Sequence, residues 1–298
     1  MALQNTIESN RFVVCAEIAP PQSCDGTVIR EKAKLVREHV DAVNITDNQT
    51  AIARLSSIAS AKILLEEGIE PIMQMTCRDR NRLAIQSDLM GAAALGIRNV
   101  LCLTGDHQSI GDQPEARGVF DLDSVQLIAA VAAMNGGHLL SGSEMKKRTE
   151  FFIGAAANPF AEPFEMRLIK LHKKIAAGAR FIQTQPVFDL EVFARWMQRV
   201  VEMGLHEKAA ILAGVMPVRS AKTLHWMKEN VPGVRIHADY IQRMTQARDP
   251  EGEGFAIAVE MIRVLKNIRG VRGIHIMPSL WEAITPALAK EASLHVTQ

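Results

Sequence analysis

The chain has 298 residues, 48% hydrophobic and 22% charged, a globular composition with enough apolar material for a large core. Thirty-four basic and 33 acidic residues leave a net charge of +1, which argues against nucleic acid or anionic lipid as partner and for a small, locally recognised ligand. No apolar run reaches the roughly 18 residues of a membrane span, and the N-terminus lacks a basic segment leading into an apolar one, so a cytoplasmic location is expected. In chain order, short β-rich runs at 12–18, 42–46, 71–76, 99–104, 151–157, 180–185, 209–215 and 273–277 predict strands. Helical periodicity predicts helices at 28–39, 51–67, 80–95, 122–135, 163–177, 189–204, 219–229 and 252–268, with further helical segments near 237–247 and 280–292. Gly68, Gly96, Gly178 and Gly204 end four of these helices, where the left-handed residue that closes a helix is easiest for glycine.

Strands alternating with helices predict a parallel sheet, and eight such units in roughly 250 to 300 residues favour a closed (β/α)₈ TIM barrel in a single domain spanning 1–298. The competing architecture is an open doubly wound sheet, since alternation does not itself establish closure. Cys15, Cys24, Cys77 and Cys102 form no CxxC pair and read as core thiols, and the nine histidines show no HxxxH or HxH spacing, so no metal site is expected.

Several strand candidates turn from apolar to polar on one face toward their C-terminal ends. Val13 and Cys15 lead to Glu17; Ile72 leads to Gln74 and Thr76; Val100 and Cys102 lead to Thr104 and Asp106. Gly154 and Ala156 lead to Asn158, and Phe181 leads to Gln183 and Gln185. Such residues could simply cap the following helices. The repetition of the trend instead predicts one polar pocket at the top of a barrel, where active sites of this fold are assembled from strand ends.

Seven segments carry a more specific message: AEIAPP (16–21), NITDN (44–48), QMTCRDRN (74–81), LTGD (103–106), FDLDS (120–124), AGARFIQTQPVFD (177–189) and GVMPV (214–218). In their order and spacing the chain resembles the methylenetetrahydrofolate reductases over about residues 5–278. That resemblance implies a barrel binding flavin, FAD or else FMN, that reduces 5,10-methylenetetrahydrofolate to 5-methyltetrahydrofolate. It implies that Glu17 is the catalytic acid and that Asp106 faces both flavin and pterin. Thr46, Gln74, Thr104, Gly105, Asn158 and Lys174 are then cofactor-binding, and Gln183 and Gln185 substrate-binding.

The residue chemistry agrees with several of these assignments. Glu17 ends an apolar strand just before Pro20 and Pro21, a stiff position from which a carboxylate can act as general acid or form an ion pair. An amide such as Gln185 can both donate to and accept from a pterin edge. The run Gly154 to Ala157 would let a flat ring approach closely or else serve helix packing, and Arg78, Arg80 and Arg82 read equally as phosphate contacts or as solvated surface.

Two departures bear on the electron donor. The family's phenylalanine over the flavin corresponds, from the GVMPV anchor, to Ala221, and the last strand reads GIHIMPSLWE in place of a run ending in arginine. Direct use of NAD(P)H is therefore not expected, and the AAANP and QTQPVFD forms are similar to a branch that works with a zinc-containing, electron-delivering partner subunit. The resemblance also implies a homo- or hetero-oligomer. The segment 136–149 precedes a strand and is expected at the opposite face, as a partner contact or as surface decoration. Two other functions remain open on the residues alone: a pterin-binding methyltransferase barrel and a non-catalytic redox-partner subunit.

Overall fold

A computed structural model describes residues 2–231 and 234–294. Eight strands pair in chain order, all parallel, and the last hydrogen-bonds to the first, so the sheet closes into a barrel. They are β1 (Val13–Ile18), β2 (Ala42–Ile45), β3 (Pro71–Thr76), β4 (Asn99–Leu103), β5 (Phe152–Ala157), β6 (Phe181–Pro186), β7 (Ala210–Val215) and β8 (Val271–Ile276). The open-sheet alternative is thereby excluded.

The outer layer is helical: α2 (Thr27–Val36), α3 (Ser57–Glu66), α4 (Arg82–Ala94), α5 (Ser124–Asn135), α6 (Phe164–Ala177), α7 (Leu190–Glu202), α8 (Ala221–Asn230), α9 (Ala238–Gln246), α10 (Pro250–Leu265) and α11 (Ile284–Glu291), following a short α1 (Ala2–Glu8). Side-chain caps set several starts, where an oxygen accepts otherwise unpaired first-turn amides. Asn81 accepts from Leu83 and Ala84, and Asp123 forms a capping box with Gln126. The second predicted helix, 51–67, starts only at Ser57, because 49–51 is a tight 3₁₀ turn with Thr50 and Ala51 at positive φ and Ser56 provides the cap. Gly68, Gly96, Gly178 and Gly204 all have positive φ, as the helix-ending pattern predicted.

Alternation divides each strand between two cores. Val14, Ala16, Val43 and Met73 pack outward against the helices, while Val13, Cys15, Ile72, Phe181 and Leu212 fill the barrel interior. Phe181 is fully buried there, a burial that stabilises by about 1.5–3 kcal/mol. Helix α1, which the sequence pattern did not predict, closes the N-terminal end: Leu3 joins the interior cluster and its amide reaches Glu70 Oε2 at 3.3 Å.

Two expectations about strand faces are corrected. Val100 and Cys102 point to the helices and Leu101 to the interior, the reverse of the predicted parity; β4 is buried on both faces, so its sequence has no polar alternation from which to read direction. Gly154 does not make room for a flat ligand. A Cβ there would lie 2.1 Å from the Phe181 ring, so the glycine exists to admit that ring to the interior. The segment 136–149 joins α5 to β5 and lies, as expected, at the N-terminal end of the barrel. No helix among the described residues is long and apolar enough to cross a membrane.

Candidate active site

A cavity of about 750 Å³ opens at the C-terminal ends of the strands. All ten residues singled out from the sequence line it: Glu17, Thr46, Gln74, Thr104, Gly105, Asp106, Asn158, Lys174, Gln183 and Gln185. A wider cleft of about 930 Å³ at the opposite end collects the exposed cations Arg180 and Lys208 beside α1, but not the polar strand ends.

The floor is a layer of interlocked amides. Asn44 Nδ2 donates to Gln183 Oε1 at 2.6 Å and Gln183 Nε2 donates to Asn44 Oδ1 at 3.0 Å, across the interior from β2 to β6. Gln183 is only 2% exposed, so this reciprocal pair satisfies a buried side chain that would otherwise be costly. Beside it stands Glu17, in register with Asn44 on the neighbouring strand. Its Oε2 accepts from Gln74 Nε2 at 3.2 Å and lies 3.7 Å from His275 Nε2 on β8, which leaves Oε1 without a protein partner among the described residues.

His275 and Asn44 were not predicted. Each is a polar residue flanked on both sides by apolar neighbours in its strand, which from sequence reads as a tolerated core residue. Their signal was parity: Asn44 is two residues beyond the interior-facing Ala42, and His275 two beyond Gly273. His275 is 3% exposed and its Nδ1 has no partner; Thr46 Oγ1, also buried, has none either. Two residues of the cavity lining thus each carry a buried polar atom without a partner, which a ligand's polar edge would stabilise.

The LTGD turn forms the rim. Gly105 has φ +91°, and a Cβ there would sit 3.0 Å from Arg78 Cβ and 3.1 Å from Thr76 Cβ, so only glycine allows the turn to lie against β3. It carries Asp106, whose carboxylate is exposed to the cavity while its backbone carbonyl accepts from Arg78 at 3.3 Å. Thr104 Oγ1 accepts from Ser124 N at the start of α5, so its hydroxyl also supports the fold. Asn158 uses its carbonyl oxygen on Phe160 N, leaving its amide NH₂ for a ligand, and the Gln185 side chain is exposed at the end of β6.

Lys174 reaches from α6 to Ala156 O at 2.6 Å. Burial, with a smaller push from Lys170, lowers its pKa to about 8. A poorly solvated ammonium beside a cavity is a site that an anionic or electron-rich ligand would stabilise.

Each arginine of the cluster is held by carboxylates, and Arg82, its side chain 54% exposed, occupies the solvated surface position that was one of the two expected readings. Arg80 is held by Asp47 and Asp88, Arg82 by Asp121, and Arg78, 2% exposed, by Asp79 and two backbone carbonyls. These guanidiniums tie the loops of β2, β3 and β4 together. Asp47 in turn accepts from Thr76 N and Oγ1, which fixes the top of β3 beneath the site. Ala221 packs in the apolar cluster of Phe188 and Val218 and does not line the cavity; Thr223, Trp226 and Met227 of the same helix do.

Comparison with known proteins agrees with this geometry. The sequence profile of the methylenetetrahydrofolate reductase family matches residues 2–292. A 5,10-methylenetetrahydrofolate reductase of Pectobacterium carotovorum is 26% identical over 277 residues, covering 89% of this chain and 85% of that one. The Escherichia coli enzyme is 27% identical over 217 residues, covering 70% and 65%. Among solved structures, a Clostridium thermocellum protein described as uncharacterised and as binding two copies of 5-methyl-5,6,7,8-tetrahydrofolic acid superposes with TM-score 0.72. It shares 15% identity, over 99% of this chain and 100% of that one, a likeness of fold. The profile match over nearly the whole chain, on a closed barrel whose strand ends hold the family's segments around one cavity, establishes that the chain belongs to the methylenetetrahydrofolate reductase family.

Proposed function

We propose that this barrel, as one catalytic domain, reduces 5,10-methylenetetrahydrofolate to 5-methyltetrahydrofolate with hydride from a bound flavin, and that Glu17 is the general acid. The observation that carries the reading is the Glu17 carboxylate, which accepts from Gln74 through one oxygen, with His275 Nε2 3.7 Å from that same oxygen, and lines the cavity. The Clostridium thermocellum neighbour's binding of a methylated tetrahydrofolate supports the ligand class.

The residues fit a flavin. Thr46 Oγ1 is a buried hydroxyl without a partner, Lys174 is a desolvated ammonium, and the Gln74 amide oxygen is left for a ligand while its nitrogen serves Glu17; together with Gly105 and Asn158 they would hold the flavin's polar edge. FAD is the form expected for the family. When bound, flavin supplies the hydride; the protein's part is to place and protonate the folate.

Reduction requires the five-membered ring of the substrate to open. Glu17 delivers a proton to the bridging amine nitrogen, the carbon–nitrogen bond breaks, and the electron pair leaves with that nitrogen. The remaining iminium carbon accepts hydride and becomes the methyl group. The Gln74 hydrogen bond keeps the carboxyl pointed at the amine, with His275 packed beside it, and a positioned acid within hydrogen-bond reach is worth about 10² to 10⁴ in rate. Gln185, from β6, orients the pterin edge, with Gln183 beneath it as floor. Asp106 holds pterin N–H groups at the rim, and its negative charge makes a nearby reduced flavin a better hydride donor.

The test is direct: purified protein should carry stoichiometric flavin by its visible spectrum, and reduced flavin should be reoxidised by methylenetetrahydrofolate. A colourless protein that binds methyltetrahydrofolate would instead support a methyl-transferring barrel. The electron donor is proposed to be a partner subunit, because Ala221 lies outside the cavity and cannot hold a nicotinamide there.

A further inference from the structure

The cavity has two chemically distinct parts. The strand-end cup is polar, and every residue used above lies in or around it. The cavity's α8 side is a largely apolar vestibule lined by Met216, Trp226, Met227, Val231 and Val234, with Thr223 and Arg219 beside them. Nothing in the proposed chemistry uses that vestibule.

Trp226 is its outlier. The ring is 58% exposed, whereas Trp196 is fully buried and Trp281 is half-buried with Arg219 over its face at 5.4 Å. Helix α8 turns Thr223, Trp226 and Met227 to the cavity, an i, i+3, i+4 face, while Leu224 and Met227 anchor the helix in the apolar cluster beneath. The indole is therefore carried on a docked helix. Its electron-rich ring, 58% exposed, lines a site whose strand-end residues are polar.

We propose that Trp226 is a stacking platform that positions a planar aromatic ring of the bound ligand, outside the reacting centre. The inference rests on the folate-reducing reading of the cavity. Aromatic faces take such rings in offset stacks, and the loss of one stack typically weakens binding by about 5- to 150-fold. The ring can come from the aromatic portion of the folate or from a nicotinamide dinucleotide. The two sources share this chemistry and separate in the test.

The experiment compares flavin-loaded wild type with Trp226→Ala, Trp226→Phe and, as a control from outside the cavity, Trp281→Phe. The readouts are kcat and KM for methylenetetrahydrofolate with dithionite-reduced enzyme, and the rate and half-saturation of flavin reduction by NADH. Iodide quenching of the Trp226 fluorescence, with and without methyltetrahydrofolate or NADH, gives a readout independent of turnover. Trp226→Ala is expected to raise the half-saturation for one ligand by about 5- to 100-fold, well beyond its effect on kcat, with Trp226→Phe restoring most of the loss. The same ligand should shield Trp226 from iodide. A response confined to folate assigns the folate ring, and one confined to NADH assigns the dinucleotide and overturns the partner-only donor. Half-saturations within about twofold of wild type for both ligands, with iodide access unchanged, overturn the proposal while leaving folate reduction intact. Wild-type protein that neither binds nor turns over folate overturns the functional reading and this proposal with it.

Discussion

Gln74 Nε2 and His275 Nε2 approach the same oxygen of Glu17, at 3.2 and 3.7 Å, so the carboxyl is oriented from β3 and β8 at once. An acid held this way can be replaced by its amide with little change in shape. Glu17→Gln should keep flavin bound and reducible but lower folate turnover by about 10²- to 10⁴-fold. Stopped-flow reoxidation of the reduced enzyme by methylenetetrahydrofolate measures it, and near-wild-type rates would remove Glu17 from the mechanism.

Asp106 lies on the rim with its carboxylate exposed to the cavity. Asp106→Asn should raise the flavin midpoint potential and weaken folate binding together, each by the equivalent of about tenfold or about 1.4 kcal/mol. Potentiometry and folate titration check the pair of effects; if both match wild type, Asp106 contacts neither ligand.

The lowered pKa of Lys174 makes a pH-dependent prediction. Burial brings it from the usual lysine value of 10.5 to about 8, so below pH 8 the folded protein carries an ammonium that water would solvate better. Between pH 8 and 10.5 the unfolded chain binds the extra proton, and by linkage wild-type stability rises with pH across that window relative to a chain without the group. Lys174→Met should therefore stabilise the flavin-free protein at pH 7, by on the order of 1–3 kcal/mol, with the advantage shrinking above pH 8. If flavin is stabilised by the ammonium, its affinity for wild type should fall as pH rises past about 8, and that fall should be absent in Lys174→Met. Thermal melts and flavin titrations at about pH 7 and about pH 9.5, on either side of the folded-state value, decide both.

Phe181 occupies the space that a side chain at residue 154 would need, with ring atoms 2.1–2.6 Å from where a Cβ would stand. Gly154→Ala should destabilise by about 1–3 kcal/mol through overpacking, and Phe181→Leu should recover part of the loss. Denaturant unfolding of the two single variants and the double variant tests the coupling. Additive effects would mean that the two residues do not share that space.

How far the sequence spoke for the structure depended on whether a signal was local. The strands were legible because parallel strands are short apolar runs between glycine-closed helices, and the cavity was legible because Glu17, Gln74, Asn158 and Gln185 all sit at C-terminal strand ends. The face of β4 was not, since a strand buried on both sides offers no alternation. The ion pairs of the arginine cluster were not legible, because several of the partners lie far along the chain: Asp47 is 33 residues from Arg80, and Asp121 is 39 from Arg82. Helix α1 was missed because it is seven residues long, largely polar and held by contacts to the barrel's end more than by its own propensity.

If the strand-end cavity couples a flavin to a protonated folate through Glu17, anaerobic single-turnover mixing of reduced, flavin-loaded protein with methylenetetrahydrofolate shows it without intervening steps. Flavin absorbance and methyltetrahydrofolate formed are followed together. Stoichiometric reoxidation is expected in wild type, with one methyltetrahydrofolate per flavin, and reoxidation about 10²- to 10⁴-fold slower in Glu17→Gln. Flavin that stays reduced in wild type, or that reoxidises equally fast in both proteins, would overturn the mechanism.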